Sequence, residues 1–349
     1  MNPLKVLAPT PTSTAETAYL RGPGCLRLSG KIPLWRGVNG QSIKLHPKYI
    51  RRIIVLGLAD VSGATFSLLW RSGISVTFLD PSAGHVLSHI DSSGLPSALS
   101  RMQCYAAGDR AFRLRMSRDV VQRKSQSTTD AVRYYQRQGK GQHAAKTLKT
   151  IRQATQGLRK ASEVNQVLGI EGAVARAWWQ FFATVLPECW KFTGRQSRPS
   201  PDPVNAMLSY GYTMLYARAR ALLTAHQLDT QLGFLHAVRP GRASLACDLV
   251  EPMRIPFVDR LVVSMLARKQ INPDDFALRR KRPCEIRAKT RTLFLASLEK
   301  QFGCPTQASK PSTAGKSNRR ASRHSLNASM KQCIEFWTKG IRQHHNQSN

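Results

Sequence analysis

The sequence predicts an α+β chain, with a small β-rich, β-sandwich-like N-terminal domain followed by a larger all-α domain. Three observations carry this prediction. Short apolar runs rich in β-branched residues, at 52–58 and 74–79, fall within the first hundred residues. Proline, which removes a helix hydrogen bond and clashes with the preceding turn, is absent between Pro96 and Pro187. Strong helix formers (Ala, Leu, Arg, Lys, Gln) dominate that same stretch. With 349 residues, 42% of them hydrophobic, the chain can furnish a core in each of two domains. A wholly disordered chain and a small disulfide-stapled scaffold are thereby excluded.

Residues 1–20 lack periodicity and read as a mobile arm. A β-rich domain is expected over 21–97. Segments 31–38 and 41–45 flank Asn39-Gly40, the dipeptide that most readily supplies two positive-φ residues, so a two-residue hairpin is predicted there. Residues 65–71 suggest a short helix and 84–90 another strand. The helical domain is expected over 98–303, with Gly139-Lys140-Gly141 separating two helices. Within 169–186, Ala173, Ala177, Phe181 and Val185 recur at helical spacing. Asp202-Pro203 reads as an N-cap followed by proline at the first helical position. Val204, Met207, Leu208, Gly211, Leu215 and Leu222 then carry a helix towards His226. Further helices are predicted at 248–269 and 286–301. Residues 304–349 form a basic tail. Its 304–325 portion is Ser-rich and of low complexity, and should be disordered in isolation; a final helix is expected near 325–341.

Charge narrows the function. Against 20 Asp and Glu stand 53 Lys and Arg, a formal net charge of +33. Such an excess points to a polyanionic partner, because each neutralised phosphate releases condensed counterions. Residues 101–160 alone hold 15 Lys or Arg against three Asp. No apolar run approaches the roughly 18–20 residues of a membrane helix, so no membrane partner is expected. The seven cysteines include no CxxC pair and the N-terminus is a poor secretory signal, which together suggest reduced thiols in a cytoplasmic protein.

In a chain so basic, clustered carboxylates are informative. Asp248 and Glu251 lie three residues apart, on one face if helical. Two ionised carboxylates there repel unless a cation offsets them. A metal ion fits that role, and so does a simple ion pair between Glu251 and Arg254. His236, in GFLHAVRPGR, precedes Asp248 by 12 residues. Glu171 interrupts an apolar helix start between Ile170 and Gly172, where a carboxylate also favours the helix dipole. Cys247 adjoins Asp248 but is expected to face the core, since helical neighbours do not share a face. Taken singly, each of these signals has an ordinary structural explanation.

Together they carry a resemblance. LGIEGAVARAWWQFF, RPSPDPVNAMLSYGYTMLYARARALL and LGFLHAVRPGRASLACDLVEPMRIPFVDRLV are similar to the three signature blocks of the CRISPR-associated integrase-nuclease (Cas-one) family, in the family's order. The resemblance implies a metal-dependent DNA integrase and endonuclease, which inserts spacers into a CRISPR array by 3′-hydroxyl transesterification. It places the family's metal-binding glutamate on Glu171, its histidine on His236 and its closing acid on Glu251, with Asp248 as a companion carboxylate. All four are then catalytic and metal-binding residues, for Mg²⁺ or Mn²⁺. Tyr216 falls where some relatives have a tyrosine near branched DNA, and Arg239, Arg242 and Arg254 are expected to contact phosphate without reading sequence. The implied partners are double-stranded and branched DNA, a second copy of the chain joined through the smaller domain, and a small bridging dimer of the Cas-two family, all in a prokaryotic cytoplasm. A casposase-like transposon integrase shares the chemistry, and a non-catalytic basic DNA-binding protein shares the charge.

Overall fold

The computed structural model describes residues 17–38, 40–80, 86–90, 97–141, 143–196, 199–278, 283–302 and 325–348. In chain order its elements begin with strands β1 (Thr17–Arg21), β2 (Gly24–Ser29), β3 (Ile32–Gly37), β4 (Ser42–Lys44), β5 (Arg52–Leu56) and β6 (Ala59–Val61). Helix α1 (Gly63–Arg71) and strands β7 (Ser75–Leu79) and β8 (Val86–Ile90) follow. Then come helices α2 (Ala98–Gly108), α3 (Arg110–Arg137), α4 (Ala144–Gln156), α5 (Val164–Val185), α6 (Pro203–Ala225), α7 (Ser244–Val250) and α8 (Arg260–Ala267). A two-residue ladder, β9 (Phe276–Ala277) and β10 (Glu285–Ile286), precedes helices α9 (Ala288–Gln301) and α10 (Leu326–Ser348). The chain divides into two units, Met1–Leu95 with Arg287–Ser325, and Pro96–Ile286 with Leu326–Asn349. The expected boundary at 303 therefore falls elsewhere, because α9 groups with the β-rich unit and α10 with the helical one.

In the β-rich unit one sheet runs β1-β5-β7-β8 and the other β4-β3-β2-β6. The β1–β5 and β5–β7 pairs are parallel, and β8 closes the first sheet antiparallel. Ile53, Val55 and Val76 share one core with Leu26 and Trp35 of the second sheet and with Leu69 of α1. Arg52, Ile53, Ile54 and Val55 are all buried, so β5 is covered on both faces. Its sequence is accordingly a continuous apolar run rather than an alternating one. Ser62 caps α1, its hydroxyl accepting from the Thr65 N–H at 3.3 Å. On α9, Glu299 accepts a hydrogen bond from the Tyr19 hydroxyl of β1 at 2.5 Å.

Two expectations are corrected here. Residues 17–20, expected in the mobile arm, are fully or nearly fully buried in β1. The β3–β4 hairpin forms, but the Gly37 N–H donates to the Gln41 carbonyl, so three residues rather than two separate the paired ends. Gly40 takes the left-handed φ of +75° that such a three-residue loop demands. Asn39, residues 1–16 and most of the 304–325 segment lie outside the described residues.

In the helical unit Asp109 separates α2 from α3, and its carboxylate caps α3 by accepting from the Phe112 N–H at 2.6 Å. The predicted Asp202 cap holds as well, accepting from the Asn205 N–H at 2.9 Å. The helix expected at 248–269 is segmented. A 3₁₀ turn Glu251–Met253 and a π turn Ile255–Asp259 join α7 to α8. Pro252 and Pro256 cause this, since neither can donate to the preceding turn and each crowds the carbonyl four residues back. α10 buries Met330, Cys333, Ile334, Trp337 and Ile341 within this unit. Among the described residues no helix is long and apolar enough to cross a membrane.

If β1 is core, Leu20→Ala should lower the unfolding free energy by about 2–5 kcal/mol, measured by urea denaturation. A midpoint unchanged from wild type would return residues 17–20 to a mobile arm.

Candidate metal centre

The centre is built on a charged residue in an apolar stripe. α3 buries Phe112, Met116, Val120, Thr128, Ala131 and Tyr135 along one face, and Lys124 lies in that row. The Lys124 ammonium donates to Glu171 of α5 and to Glu251 Oε2, the latter at 2.6 Å. Burial alone pushes the ammonium towards neutrality, but Glu251 and Glu171 reverse that and hold its pKa above the ordinary lysine value. α5 begins at Val164, earlier than expected. Glu171 thus sits two turns inside the helix, beyond the first turn where the dipole acts. What holds it there is a cation, not a helix terminus.

Glu251 is buried, and the Arg254 guanidinium reaches its second oxygen at 2.9 Å. Burial raises the pKa of this carboxyl, yet Arg254 and Lys124 outweigh burial and hold it at about 2. Arg254 also lies over the Tyr212 ring, 5.0 Å from its centroid. The ion pair between Glu251 and Arg254 therefore forms, with the carboxylate buried and the Arg254 side chain 33% exposed.

Asp248 has no exposed surface. Its Oδ2 accepts from the N–H groups of Phe234 (2.6 Å) and Leu235 (3.0 Å). Its Oδ1 accepts from the His236 N–H at 3.0 Å and pairs with His236 Nδ1 at 2.7 Å. Both oxygens are thus engaged by four donors, two of them from His236, so Asp248 fixes the ring of His236. The pairing assigns the proton to Nδ1 and leaves the lone pair on Nε2, the arrangement by which a carboxylate orients a metal-ligating imidazole. The loop can turn this tightly only at glycine. A Cβ on Gly233 would lie 2.7 Å from the His236 carbonyl oxygen and 2.8 Å from the Ser244 backbone.

Among the described residues no three His, Cys, Asp or Glu side chains yet surround one point. The two carboxylates are instead joined through the Lys124 ammonium, a cation standing between them. Their chemistry suits a hard divalent ion. Glu171 and Glu251 offer carboxylate oxygens, and His236 offers Nε2. Burial pushes the Cys247 thiol to about 11, so in the metal-free chain it stays protonated at neutral pH.

Of the groups expected near DNA, Arg239 is exposed. Tyr216 is partly buried and its hydroxyl accepts from the Ala243 N–H at 2.9 Å, at the start of α7. Arg242 is partly exposed and donates to the Ala237 carbonyl and to Ser244 Oγ.

Sequence reasoning missed two features. Lys124 was detectable as a cation in a run of apolar and small residues spaced by four. Asp259 carried no such signal. It is fully buried, accepting from Tyr212 (2.5 Å) and Trp178 Nε1 (2.8 Å). Burial raises its carboxyl to about 6, against the pull of those two bonds and of Arg254 and Arg195.

A family model described as "CRISPR associated protein Cas1" matches residues 18–300. The CRISPR-associated endonuclease Cas1 1 of Archaeoglobus fulgidus is 29% identical over 282 residues, covering 76% of this chain and 81% of its own. A Cas1 protein from Thermotoga maritima superposes with a TM-score of 0.80 at 21% identity, over 93% of this chain and 97% of that one. A casposase bound to an integration product gives 0.70 at 22%, over 90% and 91%. A chain of a Cas6-RT-Cas1–Cas2 complex gives 0.77 at 20%, over 95% of this chain and 35% of that one.

Asp259 sets a pH dependence. Its pKa of about 6 exceeds the ordinary 3.8, so the folded chain binds this proton more tightly than the unfolded one. The resulting stabilisation is complete below about pH 4 and is lost as pH rises through about 6. Asp259→Asn should flatten the fall of Tm between those values in scanning calorimetry. A variant whose Tm falls as steeply as wild type would disprove the raised pKa.

Proposed function

The chain belongs to the Cas1 family of CRISPR-associated endonucleases, and from that premise we propose that Glu171, Glu251 and the Nε2 of His236 hold one Mg²⁺ or Mn²⁺ for DNA strand transfer. The single observation behind this reading is the convergence of two carboxylates, from segments 80 residues apart in the sequence, on one cationic group, in a chain where Asp248 also ties down the Nδ1 of His236. A divalent ion bound there makes the phosphorus more electrophilic and helps disperse charge from the pentacoordinate transition state. The remaining work falls to the chain's own groups. Asp248 holds the proton on Nδ1, keeping Nε2 a donor. Arg254 anchors Glu251 from its far oxygen, so the carboxylate does not swing. Lys146, Lys149 and Arg152 are exposed on α4 and, with Arg239, supply contacts that track phosphates irrespective of sequence.

The substrate in this reading is a short duplex whose 3′-hydroxyl ends attack phosphodiesters at a CRISPR repeat, giving staggered insertion. The chain acts as a homodimer joined through its β-rich unit, with a Cas2-family dimer bridging two such dimers in the cytoplasm. The Cas6-RT-Cas1–Cas2 neighbour supports the bridging partner. The casposase neighbour supports strand transfer on this fold, and the curated relatives' names favour a CRISPR array over transposon ends as the target. A merely DNA-binding role leaves the buried carboxylate–histidine arrangement without a use.

Integration into a supercoiled plasmid bearing a leader-repeat, with and without Mn²⁺, tests the reading. Glu171→Ala and His236→Ala should each cut strand transfer by about 10²-fold or more while leaving duplex binding intact. Binding itself should weaken steeply with added salt. Full activity in Glu171→Ala would refute the ligand set, and preference for transposon ends would move the chain to the casposase chemistry.

A further inference from the structure

Lys124 is the one charged group of the centre to which the reaction gives no task. It occupies a core position on α3 with 6% of its surface exposed. Its ammonium is bonded to Glu171 and Glu251, while Arg254 takes the other oxygen of Glu251. A divalent ion chelated by the same two carboxylates requires the position that Nζ holds, and cations that close repel strongly where water is scarce. Removing the ammonium with nothing in its place is also unfavourable, because two carboxylates then confront each other largely out of water.

We propose that Lys124 is the resident counter-ion of this site: it holds Glu171 and Glu251 together when no divalent ion is bound and gives up that position when one binds, so that metal loading is an exchange of cations. The inference rests on the reading of Glu171, Glu251 and His236 as ligands. The exchange keeps the donor oxygens close together in the metal-free chain. It also sets a threshold, since an ion must out-compete a covalently tethered rival.

Mn²⁺ binding to the full chain, followed by the electron paramagnetic resonance of free Mn²⁺, separates the possibilities. Lys124→Met should bind Mn²⁺ about tenfold more tightly than wild type, and in EDTA it should melt at a lower temperature. Lys124→Gln, which keeps hydrogen-bond donors without charge, should shift in the same directions and carries the comparison if the methionine variant fails to fold. Equal or weaker Mn²⁺ binding in both variants, while Glu171→Ala abolishes binding, overturns the exchange and leaves the ligand assignment standing. No stoichiometric Mn²⁺ binding by wild type or by either variant overturns both.

Discussion

A carboxylate removed from water must find its donors inside the protein, and the helical unit is organised by three that do so. Asp248, Glu251 and Asp259 are all buried within a twelve-residue span of a chain that holds only 20 acidic residues. Each finds a different compensation. Asp248 takes three backbone N–H groups and a ring nitrogen, Glu251 takes two cations, and Asp259 takes a phenol and an indole. The cost of stripping water from these groups is met only while α3, α5, α6 and the 233–236 loop are all in place. The polar centre and the helical packing therefore stand or fall together.

Prolines turn this constraint into geometry. Had α7 continued regularly to α8, its 3.6-residue periodicity would have governed where Glu251, Arg254 and Asp259 point. Pro252 and Pro256 impose one tightened and one widened turn in succession. Across those turns Glu251 pairs with α3, Arg254 folds back onto Glu251 and the Tyr212 ring, and Asp259 meets α5 and α6. Departures from regular helix at functional positions are what the backbone chemistry of proline makes available.

Much of this was legible in the sequence, for local reasons. The runs of β5 and β7 announced themselves because parallel strands covered on both faces need no polar alternation. Asp202-Pro203 fixed a helix start through groups three residues apart. The ligand candidates came from long motifs and not from patterning. What was missed depends on distant partners. TAYLR of β1 is a strand only because Thr17 finds Arg52, 35 residues on, across a parallel ladder. α9 joins the β-rich unit through contacts such as Glu299 to Tyr19, 280 positions apart. The spacing of Asp248 and Glu251 reports a shared face, but not that a loop folds back to offer Asp248 its donors. The pairing of Arg254 with Glu251 was one of two readings the spacing left open, and only the buried carboxylate makes it strong.

The bond between Asp248 and His236 has a thermodynamic side. An imidazole on a free loop samples several rotamers and both tautomers, and any ligand that captures one of them forfeits that freedom, at about 0.5–1.5 kcal/mol per immobilised side chain. Here the same carboxylate that grips the ring also grips the main chain beneath it, so the rotor is already arrested in the folded protein. Whatever docks on Nε2 meets a single orientation instead of a population, and the ordering penalty belongs to folding and not to capture.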